Sequence, residues 1–155
     1  MTTGKLKFED CKFVSEEDYL KYNNRCNPEK DDILYSKVGA TYGRSAIIDT
    51  DSKFSLYVSV ALLKPKKDII NPLFLNYTMR QPYVKKQADK SIKGIGVPDL
   101  HLVEIKNFNI ILPPIDLQEE FSEFVNKITL IQNMCLDDIR DLMQLYNSKL
   151  KEYFN

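Results

Sequence analysis

Ser36, Lys37, Thr41, Tyr42 and Arg44 crowd around one pair of glycines, Gly39 and Gly43, and each of the five can meet a nucleic acid. A second set, Lys85, Lys86, Lys90, Ser91 and Lys93, lies in and before another glycine-bearing loop at 91–96. Ammonium and guanidinium groups neutralise phosphates, while hydroxyls and the arginine fork reach base edges in a groove. The same residues equally fit solvated loops with ordinary surface lysines, and composition does not separate the two. Machinery for covalent chemistry is hard to find. The one histidine, His101, sits among Leu100, Leu102 and Val103 as a structural or surface residue. There is no Walker-type loop, no His-Glu-x-x-His and no nucleophile elbow. Asn71-Pro72-Leu73-Phe74 approaches the Asn-Pro-Pro-aromatic loop of amino-methyltransferases, but Leu73 fills the second proline's place, so a helix cap is expected. No catalytic residue, metal site or cofactor is expected.

The charge is segregated. Net charge is zero, with 22 basic and 22 acidic side chains. Residues 1–63 carry 9 basic and 10 acidic groups, 64–106 carry 9 and 4, and 107–155 carry 4 and 8. A middle of +5 and a tail of −4 are hidden in the sum, and what a polyanion meets depends on where the lysines point. Cys11, Cys26 and Cys135 are odd in number and widely spaced, which argues for a reducing cytosol and against a disulfide frame or zinc site. No apolar run approaches the roughly 18–20 residues of a membrane span, and a cytoplasmic location is expected. At 155 residues, 43% hydrophobic and 28% charged, the chain has the makings of one globular domain with an appendage.

Positioning the polar groups falls to an α+β fold, a small mixed or antiparallel sheet with short helices. Ser15 is placed to cap a helix through Tyr22. Residues 33–38 and 44–48 read as strands around the first glycine turn, and 56–63 as the longest and central strand. Asn71 and Pro72 open a helix to Met79, Pro82 starts a further turn or two, and Leu102 and Ile105 mark a short helical segment. The last strand is expected at 108–112. Pro113 and Pro114 must stop it, with Asp116 as N-cap of the next helix and Glu119 as its capping-box partner.

From Leu117 onward there is neither proline nor glycine. Apolar residues at Phe121, Phe124, Ile128, Ile131 and Cys135 are spaced 3, 4, 3, 4, and Ile139, Leu142, Tyr146 and Leu150 continue at 4, 3, 4, 4. This is a heptad stripe with one stutter, too long for so small a domain to cover, and it calls for a second helix. The expected division is 1–114 for the domain and 115–155 for a coiled-coil helix.

Three stretches in order carry a family resemblance. The run from Val97 through Asn109-Ile110-Ile111-Leu112-Pro113-Pro114-Ile115 to Phe121 resembles the end of a target-recognition domain in the specificity subunit of type I restriction–modification enzymes. Val14-Ser15-Glu16-Glu17-Asp18-Tyr19 and the run from Asp31 through Gly43-Arg44 are similar to two upstream signatures of that family. Ile115 stands where the family has leucine, Asp31 where it has glycine, and there is no Trp. The resemblance implies a non-enzymatic component whose domain reads double-stranded DNA and whose helix pairs antiparallel with another. Catalysis and S-adenosylmethionine would belong to separate DNA-methyltransferase (modification) subunits. It also implies half a subunit, short at its N-terminus, pairing with itself as a homodimer or with another half-subunit. An assembly or antagonist module that docks modification subunits without reading DNA is the alternative. An adenine methyltransferase would need a cofactor site that the residues do not supply.

Overall fold

The computed structural model describes residues 6–9, 11–92 and 96–154. Two compact units divide the chain, residues 1–118 and 119–155. The first is organised on β1 (Ile33–Ser36), all four of whose residues are buried. It is the middle strand of an antiparallel sheet of order β2-β1-β3, flanked by β2 (Ser45–Ile47) and β3 (Val60–Leu63). Leu34 lies opposite Ala46 on one side and Leu62 on the other. A strand paired on both edges and covered on both faces has no polar face to present, which is why this one is almost wholly apolar.

Two strand expectations are corrected. The run 56–63 is not the central strand. Only Val60–Leu63 pairs, because the Val60 N–H turns back to the Tyr57 carbonyl at 3.1 Å and leaves Tyr57 and Val58 exposed. The run 108–112 is not a strand either. Side chains satisfy its backbone instead: Gln87 accepts from the Asn109 N–H at 2.8 Å and donates to the Asn109 carbonyl at 2.9 Å, and the Ile111 N–H donates to the Tyr83 hydroxyl at 3.2 Å.

Helix starts follow local chemistry. Ser15 accepts from the Asp18 N–H at the head of α1 (Glu16–Arg25). Asn71 accepts from the Leu73 and Phe74 N–H groups at the head of α2 (Pro72–Met79), so the near-methyltransferase motif is a cap. Pro82 opens α3 (Pro82–Ser91), longer than the turn or two expected, and α4 (Leu102–Lys106) is one short segment. These helices cover the sheet with Leu75, Met79, Val84, Ala88 and Ile105, packed with Ile33, Tyr35 and Leu100. The buried Ser45 hydroxyl ties β2 to α2 through the Asn76 carbonyl and Oδ1, at 3.0 and 2.8 Å.

The last helix, α5 (Ile115–Phe154), runs 40 residues, about 60 Å. It opens one residue before Asp116, with the Pro114 carbonyl accepting from the Leu117 and Gln118 N–H groups. Asp116 therefore lies inside the first turn, and the N-cap and capping-box expectation is corrected. Gln118 fixes this start. Fully buried, it donates from Nε2 to the carbonyls of Ile69 (3.2 Å) and Pro113 (2.7 Å), while its Oε1 accepts the Asn71 N–H at 2.9 Å.

One residue bears backbone strain. Asp31 has φ 72°, the left-handed region that suits glycine, and is the one such non-glycine among the described residues. Its carboxylate pairs with Lys67 at 2.7 Å on the surface.

Substitutions at two positions test these local geometries. Asp31→Gly stays within about 1 kcal/mol of wild type in urea unfolding, whereas Asp31→Val loses about 2–3 kcal/mol, because a β-branched side chain resists positive φ. Equal losses would place the effect on the Lys67 pair instead. Gln118→Glu keeps the acceptor for Asn71 but turns a carboxylate toward two carbonyls, at a cost of about 2–4 kcal/mol near neutral pH. Burial would raise that carboxyl above its unfolded value of about 4.3, so stability is fullest below it and falls as pH rises through the raised value. Unfolding curves across that range check the sign.

Candidate nucleic-acid interface

The turn between β1 and β2 is closed by the backbone. The Ser36 N–H donates to the Arg44 carbonyl at 2.8 Å and the Gly43 N–H to the Ser36 carbonyl at 2.9 Å. Gly43 has φ +82°, and a Cβ there would lie 2.7 Å from Lys85 Cδ, so both conformation and space favour glycine. The end of the second glycine loop lies beside this turn: the Gly39 N–H donates to the Pro98 carbonyl and the Leu100 N–H to the Lys37 carbonyl, both at 2.9 Å. Helix α3 makes the third side. The Tyr42 hydroxyl donates to Asp89 Oδ1 at 2.6 Å, Lys85 Nζ sits 3.6 Å from the Tyr42 ring centroid, and Lys85 pairs with Asp89 one turn along the helix. Three stretches far apart in sequence thus converge.

Several of the expected contact residues are turned to internal use. The Ser36 hydroxyl is buried and lies 3.1 Å from Thr41 Oγ1. Lys37 pairs with Asp99 at 3.3 Å, and its side chain is only 17% exposed. The Ser91 hydroxyl donates to the Gln87 carbonyl of its own helix at 2.9 Å. Arg44, Lys86 and Lys90 are exposed, and Thr41 and Tyr42 are half-buried. Lys86 and Lys90, four residues apart, share one face of α3. Lys93 lies outside the described residues.

Sequence reasoning missed the acids that hold the bases. Asp89 was legible from its helical spacing to Lys85, but Asp99 is 62 residues from Lys37 and no local pattern marks it. Electrostatics follow the pairing. Partial burial pulls the Lys85 ammonium down, but its bonds to Asp89 and Tyr42 outweigh that and hold it above the ordinary lysine value. Lys85 first, and then Tyr42, in turn hold the Asp89 carboxyl below the usual range. Beneath them the Tyr35 hydroxyl is buried with no hydrogen-bond partner among the described residues, its ring edge-on to Phe108 at 6.3 Å. Burial first, then the nearby Asp89 and Tyr42, push its pKa up to about 12.

Among the described residues no group of three acidic, histidine or cysteine side chains is placed to hold a metal, and no helix is long and apolar enough to cross a membrane. What the fold and site define is an α+β module that gathers polar loops at one place and runs on into a long helix. Residues 3–138 match the type I restriction modification DNA specificity domain, and the chain belongs to that family. It is 30% identical over 125 residues to the type I restriction enzyme EcoBI specificity subunit of Escherichia coli, covering 81% of this chain and 26% of that protein. It is 26% identical over 118 residues to the putative type I restriction enzyme MjaX specificity subunit of Methanocaldococcus jannaschii, covering 73% and 27%. The chain spans about a quarter of the length of these relatives.

Tyr35→Phe tests the orphaned hydroxyl. Removing a buried, unpaired polar atom raises stability by about 1 kcal/mol. Because the folded phenol stays protonated to about 12 while the unfolded one ionises near 10, wild type loses stability as pH rises between those values. The variant shows a shallower fall over that window in paired unfolding curves.

Proposed function

We propose that this chain is the non-enzymatic DNA-recognition component of a cytoplasmic type I restriction–modification system. Residues 1–114 would read double-stranded DNA, and 115–155 would pair with a second helix of this kind. The observation that supports this best is the family match over residues 3–138. Convergence of the hairpin, α3 and the second glycine loop adds to it. Phosphate neutralisation falls to the exposed Lys86 and Lys90, while Thr41 at the hairpin tip is the group for base edges. Lys37 and Lys85, already paired with carboxylates, contribute position rather than free charge. Methyl transfer and cleavage belong to separate modification and restriction subunits, which the chain would orient on their target.

One observation favours the second reading, an assembly or antagonist module that docks modification subunits and reads no DNA. The strongest expected contacts are consumed internally, while α5 leaves its apolar stripe exposed.

Duplex binding measured by anisotropy across a salt series separates the two. With DNA recognition, affinity falls steeply with salt, and Lys86→Ala/Lys90→Ala lowers the log–log slope by roughly 2, about 0.9 for each phosphate no longer neutralised. Lys85→Ala leaves the slope near wild type. Capture of modification subunits with no salt-dependent duplex binding would establish the second reading instead.

A further inference from the structure

The β3 edge of β1 changes partner at Lys37. The Lys37 N–H and carbonyl both face that edge, as the two groups of one residue do in an antiparallel ladder. The N–H donates to the Ser59 carbonyl and the carbonyl accepts from the Leu100 N–H, both at 2.9 Å. Further along, Val38 bridges Asp99 and the Gly39 N–H donates to the Pro98 carbonyl. Residues 98–100 therefore hold the edge that 56–58 would need to continue as a strand. The displaced chain folds into the tight turn closed by the Val60 N–H on the Tyr57 carbonyl. Its two apolar side chains are left in solvent, Tyr57 77% and Val58 53% exposed. Scattered apolar residues are ordinary on a protein surface, but these two stand at a particular place. The turn meets the 96–100 loop at Lys37, at the end of the sheet from which the β1–β2 hairpin tip also projects.

We propose that the Tyr57–Val58 turn is a third DNA-reading element, and that it takes the 5-methyl group of a thymine in the major groove. Resting on the duplex reading proposed above, it adds an apolar contact to a site otherwise made of polar groups. The groove edges of base pairs are donors and acceptors almost throughout. The apolar group they present is the thymine methyl, and only in the major groove. An exposed apolar pair standing among polar loops fits that group and offers nothing to a phosphate. The groove, about 12 Å wide, admits a two-stranded ribbon, and a tight turn is no bulkier. Tyr57 brings a flat, stiff ring with two side-chain torsions, so little freedom is lost when it is held against a base. Lys86 and Lys90 supply what a methyl contact cannot, the charge that sets the register on the backbone.

Methyl deletion on the DNA tests this without disturbing the protein. Duplexes are selected from a random library on the full chain, and each thymine of the selected sequence is replaced in turn by deoxyuridine, which lacks only the methyl. At low salt, wild type loses affinity about fourfold at one thymine, the worth of one buried methyl group. Tyr57→Phe keeps that loss, whereas Tyr57→Ala with Val58→Ala binds the thymine and deoxyuridine duplexes equally. The salt slope of this double variant stays at the wild-type value, since no phosphate contact is removed. Lys86→Ala/Lys90→Ala does the reverse, lowering the slope and keeping the thymine preference. Selective binding that no deoxyuridine weakens, or a preference that survives Tyr57→Ala/Val58→Ala, overturns the inference and leaves duplex reading standing. So does a preference lost in Tyr57→Phe, which assigns the contact to the hydroxyl. Selection that enriches no sequence overturns the inference and the sequence reading together.

Discussion

A single buried amide ties the loop before α2 to the residues that open α5. Gln118 is the last residue of the first unit and lies in the first turn of α5. Its Nε2 and Oε1 serve two carbonyls and one N–H, drawn from the loop before α2 and from the double proline. Only an amide can donate and accept at such a place. A carboxylate lacks the donors, and an apolar side chain would strand three backbone groups away from water, each at about 1–3 kcal/mol. The cap of α2 and the opening of α5 are therefore one arrangement, since the residue that caps α2 gives its own N–H to Gln118.

What was legible in the sequence was what is local. Ser15, Asn71 and Pro82 announce helix starts because a cap is settled by neighbours two or three residues away. The stripe on α5 was legible for the same reason, since heptad spacing is set by residues three and four apart. Strand extent was not legible. Residues 56–59 and 108–112 have β-type composition, but pairing needs a free neighbouring edge, and a turn and two side chains took those backbones first. At the site, the basic residues were visible and their partners were not. Lys37 is held by an acid that only the tertiary fold brings near.

The held lysines show how the unit uses charge. Lys85, Tyr42 and Asp89 form a closed group across the hairpin and α3. Such a group subtracts from the field presented outward and adds to the rigidity of the hairpin that carries Thr41 and Arg44. If the hairpin reads DNA as proposed, it would need its tip held in place more than it needs every possible cation, since phosphate attraction carries no sequence information. Counting basic residues along 64–106 overstates what a polyanion would meet.

The bare stretch of α5 has a consequence outside geometry. No residue in 126–154 is fully buried, and isolated helices are marginal in water. Paired as proposed, they would owe their order to mass action, and the abundance of the chain would become a structural variable. Dilution, a weak promoter or a surplus of competing helices would change the shape of the molecule and not merely its occupancy. Gene dosage would then be part of the fold.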